Sequence, residues 1–380
     1  MKSTYFGDRL TITAEKPVLL LITLVVASLF GSTVFAQKAL ERKPRQPEAS
    51  ATAKPRQYTI EQFMDTVRLG GASFSADEKE VLFHSNKSGI FNVYTVGTAG
   101  GNARLLTNST KESTFAVSYF PNDPRFIYTY DKGGNENSHL YLGGDGPERD
   151  LTPGEKTKAN FLGWSHDRKT FFISTNERDA RYFDVYEMNP ADMKATLVFK
   201  DEIGYDLSDI SNDKRYFVFN KSGDSSVDAD IYLYDTRSKE IKHLTPHQGE
   251  IAFNAQSFDP QVRFLYYTTD EGGEFQYLKR YELATGKSTD VEQEPWDIWT
   301  TYFSRNGKYR VTVINQDART VIKIYNTATG KQVALPKLPD GDITGVTISP
   351  SENRMAFYLN GDRSPATFTS TTLLREKLPS

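Results

Sequence analysis

A turn signature returns every 44 to 48 residues from Phe74 onward, and very few folds accept so regular a spacing. Each unit opens where a small or polar residue follows a large apolar one: Phe74-Ser75, Phe120-Pro121, Trp164-Ser165, Ile210-Ser211, Phe258-Asp259, Phe303-Ser304 and Ile348-Ser349. The second members stand at 75, 121, 165, 211, 259, 304 and 349, so the spacings are 46, 44, 46, 48, 45 and 45. Two positions on come Asp77, Asp123, Asp167, Asp213, Gln261, Asn306 and Ser351. Two further on come Lys79, Arg125, Lys169, Arg215, Arg263, Lys308 and Asn353. An apolar run follows, as in Val81-Leu82-Phe83 or Phe217-Val218-Phe219. A second run carries a tyrosine, as at Tyr94, Tyr141, Tyr186, Tyr232 and Tyr325. Several units close on a short strand, such as Arg104–Thr107, Arg149–Thr152 or Lys242–Thr245.

The parts have a common physical meaning. The opening pair ends an inner strand, the Asp or Asn nucleates a tight turn, and the apolar runs bury sheet faces. A lone four-stranded sheet cannot cover both its faces, whereas a ring of sheets covers each with its neighbours. The expected fold is therefore all-β: a seven-bladed β-propeller of four-stranded blades over 72–376. The last unit is the weakest. Ile348, Met355–Tyr358 and Thr367-Phe368 supply three strands, and the tail Leu373–Ser380 is the one candidate for a fourth.

The segment ahead of the repeats reads differently. Val18–Ala36 is the one long apolar run, preceded by Lys16 and ended by Val34-Phe35-Ala36, which suits signal peptidase. A signal peptide is expected over 1–36. An uncleaved anchor is the alternative and the sole membrane contact foreseen. Residues 37–57, rich in Pro, Ala and charge, read as a flexible, disordered linker. Residues 58–71 read as a short helix packed on the propeller, with Thr59 and Gln62 as a capping box. Ile60, Phe63, Met64 and Val67 form its stripe, and Gly70-Gly71 its stop. The export signal places the body in the bacterial periplasm or outside the cell, and a chain without cysteine fits either.

Charge removes one class of partner. Residues 1–36 carry +1 and 37–57 carry +4, which leaves −8 on 58–380 out of a total of −3. An acidic body lacks the cationic face that nucleic acid needs, so no nucleic-acid partner is expected.

Candidate chemistry is sparse. His243 and His247 are split by Pro246 and do not share a helix face. Asp224, Asp228 and Asp230 lack the Gly and Glu placement of a calcium loop. Trp296 and Trp299 read as packing residues before the sixth inner strand. Gly133-Gly134, Gly143-Gly144 and Gly272-Gly273 read as hairpin turns. No metal, cofactor or catalytic residue is assigned.

The repeat, with its apolar-Ser opening, Asp-x-Lys/Arg turn, Asp-Ile-Tyr strand and Leu-Thr close, resembles the TolB-type propeller unit. The order of a signal, a tether, the stretch TIEQFMDTVRLGG and units ending near Asp362-Arg363-Ser364-Pro365 resembles the amino-terminal half of exported prolyl oligopeptidase-family serine peptidases. That resemblance implies an α/β-hydrolase domain carrying a Gly-x-Ser-x-Gly elbow, an Asp and a His. Here Gly71-Ala72-Ser73 and Gly163-Trp164-Ser165 both lack the closing glycine, and no histidine follows His247. Tyr186-Glu187-Met188 does not match the paired glutamates of the dipeptidyl-peptidase branch. The expected function is thus the non-catalytic, substrate-gating part of a secreted serine peptidase, present as a fragment or truncated product. Its partners would be a peptide substrate or a hydrolase domain. The alternative is a stand-alone periplasmic propeller that binds a protein or glycan. An independent propeller enzyme, which would gather acids, histidines or metal ligands at its channel, fits least.

Overall fold

The computed structural model describes residues 57, 59–61, 66–144, 146–223, 225, 227–335, 341–361 and 364–372, with side chains described as far as Asn360. The expected signal peptide and nearly all of the linker lie outside the described residues. Two units divide the chain, 1–57 and 58–380, and the strands belong to the second. No helix among the described residues is long and apolar enough to cross a membrane.

The strands form seven antiparallel sheets in chain order. Sheets 1 to 5 span Leu69–Leu105, Phe115–Asp150, Ala159–Phe199, Asp206–His243 and Phe253–Glu292, with four strands each. Sheets 6 and 7 span Asp297–Asn326 and Asp342–Thr372, with three strands each. Among the described residues, the expectation of a propeller built throughout from four-stranded blades is therefore corrected. In sheet 6 the fourth strand shrinks to one bridge, Tyr325 with Gln332. The sequence beyond that bridge holds Pro336 and Pro339, which cannot donate to a ladder. The tail from Leu373, foreseen as a possible fourth strand of sheet 7, lies outside the described residues.

Each sheet packs on the next through its own apolar core. Leu82 and Val93 meet Tyr119 and Tyr128 between sheets 1 and 2. Phe120 and Leu140 meet Phe171 and Met188 between sheets 2 and 3. Phe217 and Phe219 meet Phe172 and Phe199 between sheets 3 and 4. The series continues through Val218 with Leu265, Leu278 with Ile314, and Val311 with Phe357. Phe74, Val81 and Ala356 close the ring between sheets 7 and 1. Runs such as Val81-Leu82-Phe83 are apolar at every position because both faces of each sheet are covered, which leaves no polar alternation. Among the described side chains this closing core is the smallest, and polar contacts supplement it. The Ala72 amide donates to the Tyr358 hydroxyl, and Glu78 accepts from the Ser351 amide and hydroxyl at 2.6 Å each.

The expected helix over 58–71 ends differently. Ile60 and Glu61 are helical, 62–65 lie outside the described residues, and Leu69–Phe74 is already the first inner strand. Of the expected stripe, Ile60 is 70 % exposed and Val67 42 %, while Phe63 and Met64 lie outside the described residues. Gly70 and Gly71 do not stop a helix; they make room for the half-buried His84 ring. A Cβ on Gly71 would stand 2.5 Å from the Ala116 carbonyl and 2.7 Å from His84 Nδ1, at a backbone φ of +73°.

Candidate functional site

Six of the seven turns that leave the inner strands share one conformation. The residue three after the opening position is left-handed: Glu78, Arg168, Lys214, Val262, Gly307 and Glu352. Only one of these is glycine, so local hydrogen bonds must hold the strained backbone. Asp77, Asp167 and Asp213 each accept from the opening serine and from the amide two residues on. The second turn is the exception and corrects the repeat by one residue. Phe120, rather than Pro121, pairs its amide with the Arg125 carbonyl, as Ser75 does with Glu80 and Ser165 with Thr170.

All seven inner strands also carry a β-bulge. An extra residue rotates the side chains that follow it and bends the strand. Beyond the bulges, side chains stitch neighbouring sheets around the central channel. Ser73 Oγ accepts from the Tyr119 amide at 3.0 Å, and Ser118 Oγ from Trp164 Nε1 at 2.9 Å. Asp209 Oδ2 accepts from the Phe258 amide at 2.8 Å, and Tyr302 donates to the Val346 carbonyl at 2.7 Å.

The channel opens on the turn face into two cavities. One of about 310 Å³ is lined by Trp164, His166, Asp209, Ser257, Phe258 and Arg305, among others. The other, of about 300 Å³, runs along Ser73, Phe74, Tyr119, Trp164, Arg168 and Ile348 to the same Arg305. Arg305 leaves the turn of sheet 6 and donates to the His166 carbonyl in the turn of sheet 3, 139 residues away. Sheets 3 and 6 are not neighbours, so this side chain bars the mouth and separates the two cavities.

Among the described residues, Asp209 is the carboxylate that lines the first of these cavities, and it is half-buried. Burial pushes its carboxyl up to about 6, although the amides of Phe258 and Ile210 and the Ser257 hydroxyl favour the ionised form. The folded value lies above the ordinary 3.8, so the folded state holds the proton more tightly in that window. Stability therefore falls as pH rises through it. Asp209→Asn cannot ionise. Its stability relative to wild type is expected to rise by roughly 2–3 kcal/mol between about pH 4 and about pH 7. Urea midpoints across that range check this, and parallel curves for the two proteins would refute it.

The residues singled out in the sequence go elsewhere. His243, His247, Asp228 and Asp230 do meet, at the edge of sheet 4. His247 Nε2 stands 2.9 Å from Asp228 Oδ1 and its Nδ1 3.2 Å from Asp230 Oδ1, while His243 Nε2 stands 2.8 Å from Asp230 Oδ1. The hydrogen bond to the Thr245 carbonyl and the two aspartates raise the His247 pKa. The His247 ring is satisfied by Asp228 and the Thr245 carbonyl, whereas His243 Nε2, although 2.8 Å from Asp230, makes no hydrogen bond of acceptable geometry, and no set of three metal donors exists among the described residues. Asp224 lies outside the described residues. The two tryptophans part company. Trp296 packs against Phe275, while Trp299 occupies the bulge of its strand and is 54 % exposed. Gly133, Gly134 and Gly272 adopt positive φ between strands, as hairpin turns require. Gly143 ends a strand beside the Phe126 ring, and Gly144 turns after it at φ +88°. Glu187 is occupied: its Oε1 accepts from Lys214 Nζ at 2.6 Å and from the Thr170 hydroxyl at 2.5 Å. Gly71-Ala72-Ser73 lies on one inner strand, and Gly163-Trp164 ends another with Ser165 opening its turn; Ser73 and Trp164 take part in the stitching just described.

No family model matches the chain. Dipeptidyl aminopeptidase BIII of Pseudoxanthomonas mexicana is 25 % identical over 380 residues, an alignment that covers 92 % of this chain and 53 % of that protein. The chain thus spans about half the length of the curated relative it matches. Among solved structures, a prolyl endopeptidase superposes with a TM-score of 0.60 at 13 % identity, over 81 % of this chain and 48 % of its own. Prolyl oligopeptidase B from Galerina marginata gives the same values. The fold is that of the prolyl oligopeptidase propeller region. An oligogalacturonate lyase solved with manganese also superposes, at a TM-score of 0.60 and 14 % identity, over 81 % of this chain and 91 % of the lyase.

Proposed function

We propose that this chain is the substrate-gating propeller of an exported, TolB-like prolyl oligopeptidase-type serine peptidase, and that it contributes no catalytic group itself. The observation that carries the reading is the barred channel. Its two cavities of about 310 and 300 Å³ are each sized for a residue or two of peptide. A folded protein cannot pass such a mouth, whereas a short or flexible peptide can be selected by it. The likeness to a dipeptidyl aminopeptidase and to prolyl oligopeptidases supports a peptide as the molecule selected. Acyl transfer would come from a hydrolase module carrying the Ser, Asp and His that the repeats lack.

Two measurements test this. DNA downstream of codon 380 should continue into a Gly-x-Ser-x-Gly elbow, an Asp and a His, and a fluorophosphonate probe should leave the 380-residue chain unlabelled. A stop followed by an unrelated gene, or labelling of this chain, would overturn the proposal. A stop would favour a stand-alone binding propeller in the periplasm. The extent of the oligogalacturonate lyase match, 91 % of that chain, supports this second reading by showing that such a ring can make up nearly a whole protein.

A further inference from the structure

Arg168 and Arg305 sit together at the turn-face mouth, half-buried and against one cavity. Among the described residues neither has a carboxylate within ion-pair distance, although ion pairs are common elsewhere on the ring. Burial lowers the pKa of both guanidiniums, and in Arg305 the Arg168 charge adds to the effect. Two like charges held close and partly out of water raise the energy of the empty site, and an anion placed between them relieves it. Glu78, Asp167 and Glu352 are the nearby acids. Glu78 is engaged by Ser351, Asp167 by Ser165, and Glu352 by Ser304 and Asn306. The cavity below the two arginines has an apolar wall of Phe74, Val117, Tyr119, Phe161, Trp164 and Ile348.

We infer that this cavity is a subsite for the free C-terminal carboxylate of a short peptide, with the carboxylate between Arg168 and Arg305 and an apolar terminal side chain against Trp164. A bare inorganic anion would use the guanidiniums and waste the apolar wall. A guanidinium pair presents parallel N–H donors that match both carboxylate oxygens. The turns fix the two donors. Arg168 stands on left-handed backbone at φ 60°, and Arg305 is held by its bond across the channel to His166. The inference rests on the peptide-gating reading and deepens it by naming the end of the peptide that is recognised.

Calorimetric titration of the full chain tests it with N-acetyl-alanyl-leucine, the corresponding C-terminal amide, and inorganic phosphate. The free acid should bind at least tenfold more tightly than either of the others. Arg168→Gln and Arg305→Gln should each weaken the acid at least tenfold and leave the weak binding of the amide unchanged. Arg280→Gln, on the outer part of sheet 5, should change nothing. Thermal unfolding of each variant shows whether it folds. Equal binding of acid and amide, phosphate as tight as the acid, or an acid affinity indifferent to both arginines would overturn the subsite. None of these results touches the downstream reading frame, so the subsite and the peptidase assignment fail separately.

Discussion

Asp184→Ala is expected to destabilise the ring by about 2–3 kcal/mol, read as a lower urea midpoint with an unchanged slope. Asp184 is fully buried in sheet 3. Its carboxylate takes Arg178 Nε at 2.6 Å and Nη2 at 2.8 Å, and its Oδ1 also accepts from the Asp201 amide at 2.8 Å. Asp201 in turn caps the loop into sheet 4, its own carboxylate accepting from the amides of Ile203, Gly204 and Tyr205. Removing the carboxylate strands a buried amide and a guanidinium and loosens that loop. The magnitude turns on Arg178. A wholly buried orphan cation would cost more, about 3–5 kcal/mol. The Arg178 side chain is 32 % exposed, so it can turn toward water and the loss stays at the lower figure. Asp184→Asn keeps the oxygen that the Asp201 amide needs and should recover about half. Equal losses in the two variants would show that the buried amide carries none of the effect.

Arg178 and Asp184 also show which parts of the molecule can be read in one dimension. The period was legible because most of the turns combine a small or polar opener, an Asx side chain and a basic exit within five residues. The second turn misled by one position because Pro124 has no amide to offer, so the pattern shifted onto Pro121 while the backbone paired Phe120 with Arg125. The missing fourth strand of sheet 6 was not legible, because strand four is an edge whose short, exposed sequence carries little apolar signal, whereas the three strands of sheet 7 were read directly from the last unit. Leu69 to Gly71 read as the end of a helix because the His84 ring that requires those glycines is supplied by the next strand. The channel mouth lies furthest beyond reach. Arg168 and Arg305 belong to different repeats and to different turn positions, and nothing local marks Arg168 as different from Lys214 or Val262, or Arg305 from Asn212 or Pro260, at the equivalent positions. Only closure of the ring brings them together.

Glu352→Ala is the second large effect, expected at about 3 kcal/mol. Glu352 is 4 % exposed in the turn of sheet 7, and its Oε1 reaches back into the turn of sheet 6. There it accepts from the Ser304 hydroxyl at 2.5 Å, the Asn306 amide at 2.7 Å and, more weakly, the Lys308 amide at 3.3 Å. Lys214 reaches back onto sheet 3 in the same way, and Glu78 onto sheet 7, so one left-handed turn position repeatedly serves as an inter-sheet hook. Each donor left without an acceptor costs about 1–3 kcal/mol where water cannot replace it. The buried Ser304 and the Asn306 amide dominate here. Backbone strain separates two variants that remove the same hook. Glu352 sits at φ 60°, which alanine must also endure and glycine adopts freely. Glu352→Gly should therefore be less harmful than Glu352→Ala by about 1 kcal/mol, despite the greater freedom of glycine in the unfolded chain. Glu352→Gln, which keeps an acceptor oxygen, should lose less than either. If alanine and glycine fall together, the turn is not strained at this position. If glutamine falls with them, the negative charge matters more than the hydrogen bonds, and raising the ionic strength should then narrow the gap to wild type.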